Sequence, residues 1–229
     1  MSFMNQVRSF REGEVSGEEL EMAAELFKRS YPAKQVGTLA EGMDSFYGDI
    51  FVCDGDLTVN GDLDLFKPRT LFLWVKGQLR VHGGFFDYDD PETLTLVGGD
   101  MHADRVHTAG WLNVLGDLVV NGPLVGYYND CTAYVAGNLE CQLFYPENHF
   151  FEVSGRAEIE HGIYIGSRLE ASNEVTSMTD EEIATRLARE LLVIETGSFD
   201  EIEDLEFYLD DGVILEWMRE GRPLLVSDE

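Results

Sequence analysis

The side chains with most chemistry to offer are His82, His102, His107, His149 and His161, the carboxylates Asp87, Asp89, Asp90 and Asp130, and the thiols Cys53, Cys131 and Cys141. Three histidines converging on one ion would make a metal site, paired carboxylates along a groove would make a glycoside-cleaving centre, and cysteines at CxxC spacing would hold zinc. None of these patterns is met. His82 and His102 sit at different phases of the surrounding repeat, and acids are so frequent that any coil offers one by chance. The cysteines are odd in number and far apart, at positions where small apolar side chains are wanted, so packed reduced thiols are expected. There is no GxxxxGK[ST], no GxSxG and no GxGxxG opening a helix. No catalytic residue, metal or cofactor is therefore expected. His107 and His149 are better candidates for contact with a partner.

What positions these residues is a repeat. Glycines at 55, 77, 99, 116, 137 and 155 are spaced by 22, 22, 17, 21 and 18 residues, the length of one turn of a β-solenoid with loops of variable size. Two residues before each glycine stand Cys53, Val75, Val97, Val114, Val135 and Val153. Two after stand Leu57, Leu79, Met101, Leu118, Leu139 and Ala157, and four after stand Val59, Val81, Ala103, Val120, Cys141 and Ile159. Alternate side chains of a strand share one face, so the three columns predict an interior ladder with one layer per coil. The glycine is expected at a corner that needs positive φ or close backbone approach. The residue after it, Asp56, Gln78, Asp100, Asp117, Asn138 or Arg156, is polar and should face water or cap the turn. Irregular steps of this size do not fit the tight six-residue period of hexapeptide acyltransferases.

The phrases GDLTVNGDL (Gly55–Leu63) and GDLVVNGPL (Gly116–Leu124) resemble those of the polymer-forming, bactofilin-type β-solenoids, over roughly the middle half of the chain. The resemblance implies a right-handed parallel β-helix around a narrow apolar core and end-to-end assembly without nucleotide. This chain departs from that pattern in its uneven coils, its polar insertions and its helical flanks.

The insertions follow the third column at comparable phases and should emerge on one side. They hold Asp87, Tyr88, Asp89 and Asp90, then His107, then Tyr127, Tyr128, Asn129 and Asp130, then His149. Tyrosines beside carboxylates suit recognition of a basic protein, because aromatics supply contact area and carboxylates select charge. The other reading is that these rings pack on one another or beneath the flanking helices.

Outside the solenoid, expected over 48–166, two regions remain. In 1–47, an arm precedes a helix opened by the capping box Ser16/Glu19, with Leu20, Ala23, Ala24 and Phe27 on one face until Pro32; this helix is expected to cover the first open end of the array. In 167–229, boxes at Thr179/Glu182 and Ser198/Glu201 predict helices through Ile183, Leu187, Leu191 and Ile194 and through Ile202, Leu205 and Leu209, before Asp211–Gly212 and an apolar run containing Trp217. Their apolar faces should be buried on the solenoid's flank or in a dimer.

The 229 residues carry a net charge of −28 with 44% apolar content, which allows a sizeable core and argues against direct binding to nucleic acid. From residue 174 on, 17 acids face 4 arginines. No signal peptide or membrane-length apolar run is evident, so a cytoplasmic protein away from the membrane is expected. The functional expectation is a non-catalytic binder of a basic protein, a monomer or closed dimer, in its sharpest form an immunity or antitoxin protein. A bactofilin-like scaffold subunit and a solenoid enzyme acting on carbohydrate are the alternatives.

Overall fold

The computed structural model describes residues 3–27, 34, 36, 48–90, 92–128, 130–198 and 201–226, with backbone alone at 197–198 and 201–205. Along the chain run β1 (Arg8–Ser9), α1 (Gly17–Leu26), β2 (Asp49–Cys53), β3 (Leu57–Asn60), β4 (Leu63–Asp64), β5 (Thr70–Val75) and β6 (Leu79–Phe86). There follow β7 (Leu94–Val97), β8 (Met101–Thr108), β9 (Trp111–Val114), β10 (Leu118–Gly126), β11 (Thr132–Val135), β12 (Leu139–Tyr145), β13 (Phe150–Val153), β14 (Ala157–Gly162) and β15 (Leu169–Glu170). The chain continues with α2 (Asp180–Arg186), β16 (Leu192–Ser198), β17 (Glu201–Leu209) and α3 (Asp211–Glu220). Strands β2 to β15 wind into a parallel β-solenoid of about six turns with two sheets. One sheet has the order β1-β2-β5-β7-β9-β11-β13-β15; the other has the order β14-β12-β10-β8-β6-β3, with β4 also beside β6.

The registers are those the glycine alignment predicts. Leu79 pairs with Leu57 and Met101, Leu139 with Leu118 and Ala157, and Val97 with Val75 and Val114. All three columns are buried except Ile159 in the last coil, which is half-buried. The long strands β6 and β10 bend between Val81 and Gly84 and between Val120 and Pro123, and past the bend Leu63, Phe85, Val106, Leu124 and Phe144 form a further interior column.

The anchor glycines owe their identity to stacking. None has positive φ; that conformation is found instead at Gly61 and Gly83, among others. At Gly116 an added Cβ would stand 2.7 Å from the Gly99 carbonyl carbon and 2.8 Å from the Asp100 nitrogen, whereas at Gly55, in the first coil, it would meet nothing within 4 Å. The carboxylate of Asp100 lies over the next coil and accepts from the Asp117 amide (3.0 Å); Asp117 accepts from the Asn138 amide (2.7 Å), Asn138 from the Arg156 amide (3.0 Å), and Asp56 from the Gln78 amide (2.8 Å). The polar residue after four of the six glycines, Asp56, Asp100, Asp117 and Asn138, thus clips its coil to the next, and the glycine of that next coil leaves room for it.

The ends and two flanks are covered by the chain itself. The cap at the first end is the arm, and this corrects the expectation that α1 sits there. Strand β1 pairs antiparallel with β2, Phe3 packs edge-on to Phe51 at 5.7 Å, and the Gln6 amide donates to the Thr58 carbonyl (2.9 Å). Helix α1, with its Ser16/Glu19 box formed, lies on the outer face of the first sheet, where Leu20, Ala23 and Phe27 join Ile50, Val52, Phe72 and Trp74. It ends at Leu26; the predicted continuation toward Pro32 lies outside the described residues. Arg8 and Lys76 bridge Glu19 and Asp54 at 2.7–3.0 Å, tying arm, helix and solenoid together, and these cations hold both carboxyls down at about 2. At the far end Leu169, Ala171 and Val175 cover the core, and the Asn173 amide imitates a further coil by accepting from the Ala157 amide (2.8 Å) and donating to its carbonyl (3.0 Å).

The C-terminal region docks on the solenoid's flank. Ile183, Leu187, Leu191, Ile214, Trp217 and Met218 bury against Phe86, Val125, Leu143 and Tyr145. Its secondary structure corrects the sequence reading: α2 stops at Arg186, and 192–198 and 201–209 pair as antiparallel strands of a hairpin, with Leu192 opposite Leu209 and Ile194 opposite Phe207. The box assigned to Ser198/Glu201 is instead the end of that hairpin. Leu205, Phe207 and Leu209 also fit a two-residue period, and the β-branched Val193, Ile194 and Thr196 favour the strand. Asp210 then caps α3 by accepting from the Val213 amide (3.0 Å).

Candidate functional site

Strands β6, β8, β10 and β12 end at matched registers, Phe86 beside His107 and Val125 beside both His107 and Tyr145, so the insertions do leave the solenoid along one edge. The structure sorts the predicted contact residues into two groups, those beneath this edge and those on it.

Asp87, His107 and His149 lie beneath, which corrects their assignment as groups whose polar atoms meet a partner. Asp87 is 0% exposed and accepts from the Thr108 hydroxyl (2.9 Å) and from the amides of Ala109 (2.6 Å) and Gly110 (2.9 Å), so it holds the turn of the next coil. Burial pushes its carboxyl up to about 6 against the pull of those donors. His107 sits in the outward column between Phe86 and Val125, under the C-terminal region, with its ring stacked on Tyr127 at 6.1 Å. Burial, aided by the charge of Arg219, pushes His107 down to about 4. His149 is 0% exposed; its Nδ1 lies 3.1 and 3.0 Å from the Tyr127 and Tyr128 carbonyls, which assigns the proton to Nδ1 and leaves Nε2 without a partner. Desolvation holds it neutral, down to about 4.

On the edge, Tyr127 is 42% exposed, Asp90 and Asp130 are exposed, and Asp89 is half-buried. Tyr128, at φ 77, turns its phenol to donate to Asp130 (2.9 Å). Tyr88 is a bridge: its hydroxyl donates to Asp64 (2.8 Å) and accepts from Arg219 (2.9 Å), joining the first coil to α3, and burial pushes the phenol up to about 12. Asn129 lies outside the described residues.

The sequence reading passed over the solenoid's broad open face, the outer side of β3, β6, β8, β10, β12 and β14. Its signal was present at the third and fifth residues after each glycine: Thr58, Arg80, His102, Val119, Glu140, Glu158 and Asn60, His82, Asp104, Asn121, Gln142, Glu160. Registers place Arg80 beside His102, Val119 beside Glu140, and Glu140 beside Glu158. The face therefore runs from basic and neutral side chains at one end to stacked carboxylates at the other, where a groove of about 490 Å³ is lined by Asn121, Glu140, Gln142, Glu158 and Glu160. The one ion pair found there among the described residues is long, Arg156–Glu158 at 3.8 Å, and the His161 ring lies 3.5 Å from the Glu160 carboxylate.

Among the described residues no three of His, Cys, Asp and Glu gather into a group that could hold a metal ion, and Cys53, Cys131 and Cys141 are buried free thiols. Burial pushes the Cys131 and Cys141 thiols up. No helix of the described residues is long and apolar enough to cross a membrane. Set against protein-family models, curated proteins and solved structures, the chain matches none of them.

Proposed function

We propose that the chain is a non-catalytic β-solenoid that binds a basic protein, most concretely an immunity or antitoxin protein that neutralises a cationic toxin acting on nucleic acid. The observation that carries this reading is the pairing of Glu140 with Glu158 across adjacent strands, with Gln142 and Glu160 alongside. Like charges directly opposite in a sheet are destabilising, and sequences break such local rules where a function requires it. A cationic partner would relieve that repulsion and gain from the net charge of −28 in long-range attraction. The covered ends of the solenoid favour a discrete binder over a filament subunit, because filaments grow through open strand edges.

The test is calorimetry of the purified chain with a candidate cationic toxin, titrated across ionic strength. Affinity should fall steeply with salt. The triple variant Glu140→Lys, Glu158→Lys, Glu160→Lys should abolish binding, whereas Tyr127→Ala with Tyr128→Ala reports on the edge. Affinity indifferent to salt and to the triple variant would remove the proposal.

A further inference from the structure

The open face has two ends of opposite character, and their order along the solenoid makes the face complementary to itself. Register pairs join Thr58, Arg80, His102, Val119, Glu140 and Glu158 into one unbroken outward row. His82, Asp104, Asn121, Gln142 and Glu160 stand two residues further along the same strands, and the Asn121 amide donates across to Asp104 (3.0 Å). All of these side chains are exposed or half-buried. We infer that two copies of the chain associate weakly through this face, solenoid axes antiparallel, about a two-fold axis that lies over β10 and parallel to it.

Such an axis turns the order of the coils end for end and sets each row against itself. With Val119 over its own copy, Arg80 meets Glu158 and His102 meets Glu140. In the second row His82 meets Glu160, Asp104 meets Gln142, and Asn121 meets its own copy. Every carboxylate of the two rows then faces a donor, because a guanidinium pairs with it by charge and an imidazole or amide N–H donates to it. Each contact occurs twice, as the symmetry of such an interface requires. Val119, the one apolar residue of the two rows, falls on the axis, where water is most readily excluded. An axis along the solenoid would instead set Glu158 against Glu160 and Arg80 against His82, so the charges select the antiparallel arrangement. A basic protein matches the acidic end alone, whereas a second copy matches the whole row. The face spans about 24 Å of solenoid at about 4.8 Å per strand, which puts the contact in the small, transient class. The charge of −28 on each copy opposes approach at long range, an effect screened beyond about 8 Å at 0.15 M salt. The second copy covers the carboxylates that a basic partner would use, so that partner would compete with it; the dimer itself does not depend on that reading.

The test is sedimentation equilibrium of the full chain alone, at about 0.15 M salt, so that it contains no second protein. The average mass should rise from 25.8 kDa toward twice that value, with a Kd on the order of 10–100 µM. Arg80→Glu and Glu158→Arg each set like charges together and should each weaken the dimer by about tenfold or more. Both side chains are exposed, so neither change threatens the fold. The double variant Arg80→Glu with Glu158→Arg exchanges the two charges and should restore the Kd to within about threefold, which a loss of structure would not do. A wild-type chain that stays monomeric up to about 500 µM overturns the inference. So does a dimer that either single variant leaves intact, or one that the double variant fails to restore.

Discussion

Gly55 and Gly116 open nearly the same phrase, GDLTVNGDL and GDLVVNGPL, yet alanine should have opposite effects at the two positions. At Gly116 the new methyl would lie 2.7 and 2.8 Å from backbone atoms of Gly99 and Asp100, which cannot move without shifting the coil, and it would displace the carboxylate that accepts from the Asp117 amide. Overpacking of this kind costs about 1–3 kcal/mol, and loss of the bond adds about 1–2 kcal/mol, for a total of about 2–5 kcal/mol. At Gly55 the methyl meets nothing within 4 Å and φ is not positive, so Gly55→Ala should stabilise by about 0.4–1 kcal/mol through the unfolded chain. Gly99→Ala, whose nearest backbone atoms are at 3.3 Å, should fall between them. Urea unfolding followed by far-ultraviolet circular dichroism reads the series: with a slope of about 3 kcal/mol/M, Gly116→Ala should lower the midpoint by about 1 M. Equal midpoints for Gly55→Ala and Gly116→Ala would refute the claim that stacking fixes the anchor glycines.

Four further outcomes are expected. Asp87 has a folded pKa of about 6, above its ordinary 3.8, so its contribution to stability is full below about pH 4 and is lost as pH rises through 6; Asp87→Asn should therefore gain on wild type by up to about 3 kcal/mol between pH 4 and 6, and a gain in the opposite direction would contradict the assignment. His107, held down at about 4, has the reverse linkage, with stability present above pH 6.5 and lost as pH falls toward 4, so His107→Leu should flatten the acid limb of the unfolding curve. Arg105 bonds Asp62 at 2.7 Å and the Met218 carbonyl at the end of α3, and Arg105→Ala should cost about 1–3 kcal/mol, with faster hydrogen exchange concentrated in 211–220; uniform exchange would argue against that local role. Thr95 stands in the interior column between Leu73 and Leu112 with an unpartnered hydroxyl, so Thr95→Val should raise stability by about 1–2 kcal/mol in a thermal melt.

The solenoid was legible because its core is a one-dimensional pattern: apolar residues at fixed offsets from a glycine need only register to become a column, and register follows from the repeat itself. The same offsets also held the open face, at the third and fifth residues, though reading it as exposed required knowing which flanks the rest of the chain covers. The insertions show the limit. His149 and Asp87 look like neighbours of Tyr127 and Asp90 in composition, but coil stacking places their polar atoms under the edge, beside the Tyr128 carbonyl and the Ala109 amide.

By itself, then, the sequence determined the coil count, the three interior columns, the caps of α1 and α2 and the acidic character of the chain. Each is set by residues close in sequence or repeated at one spacing. Only the tertiary structure decided that 192–198 and 201–209 pair as antiparallel strands, that the arm and not α1 caps the first end, and that Asp100 is the reason for Gly116. Those outcomes depend on which surfaces meet across turns of the solenoid, and contacts between residues a coil or more apart decide between local patterns that fit the sequence equally well.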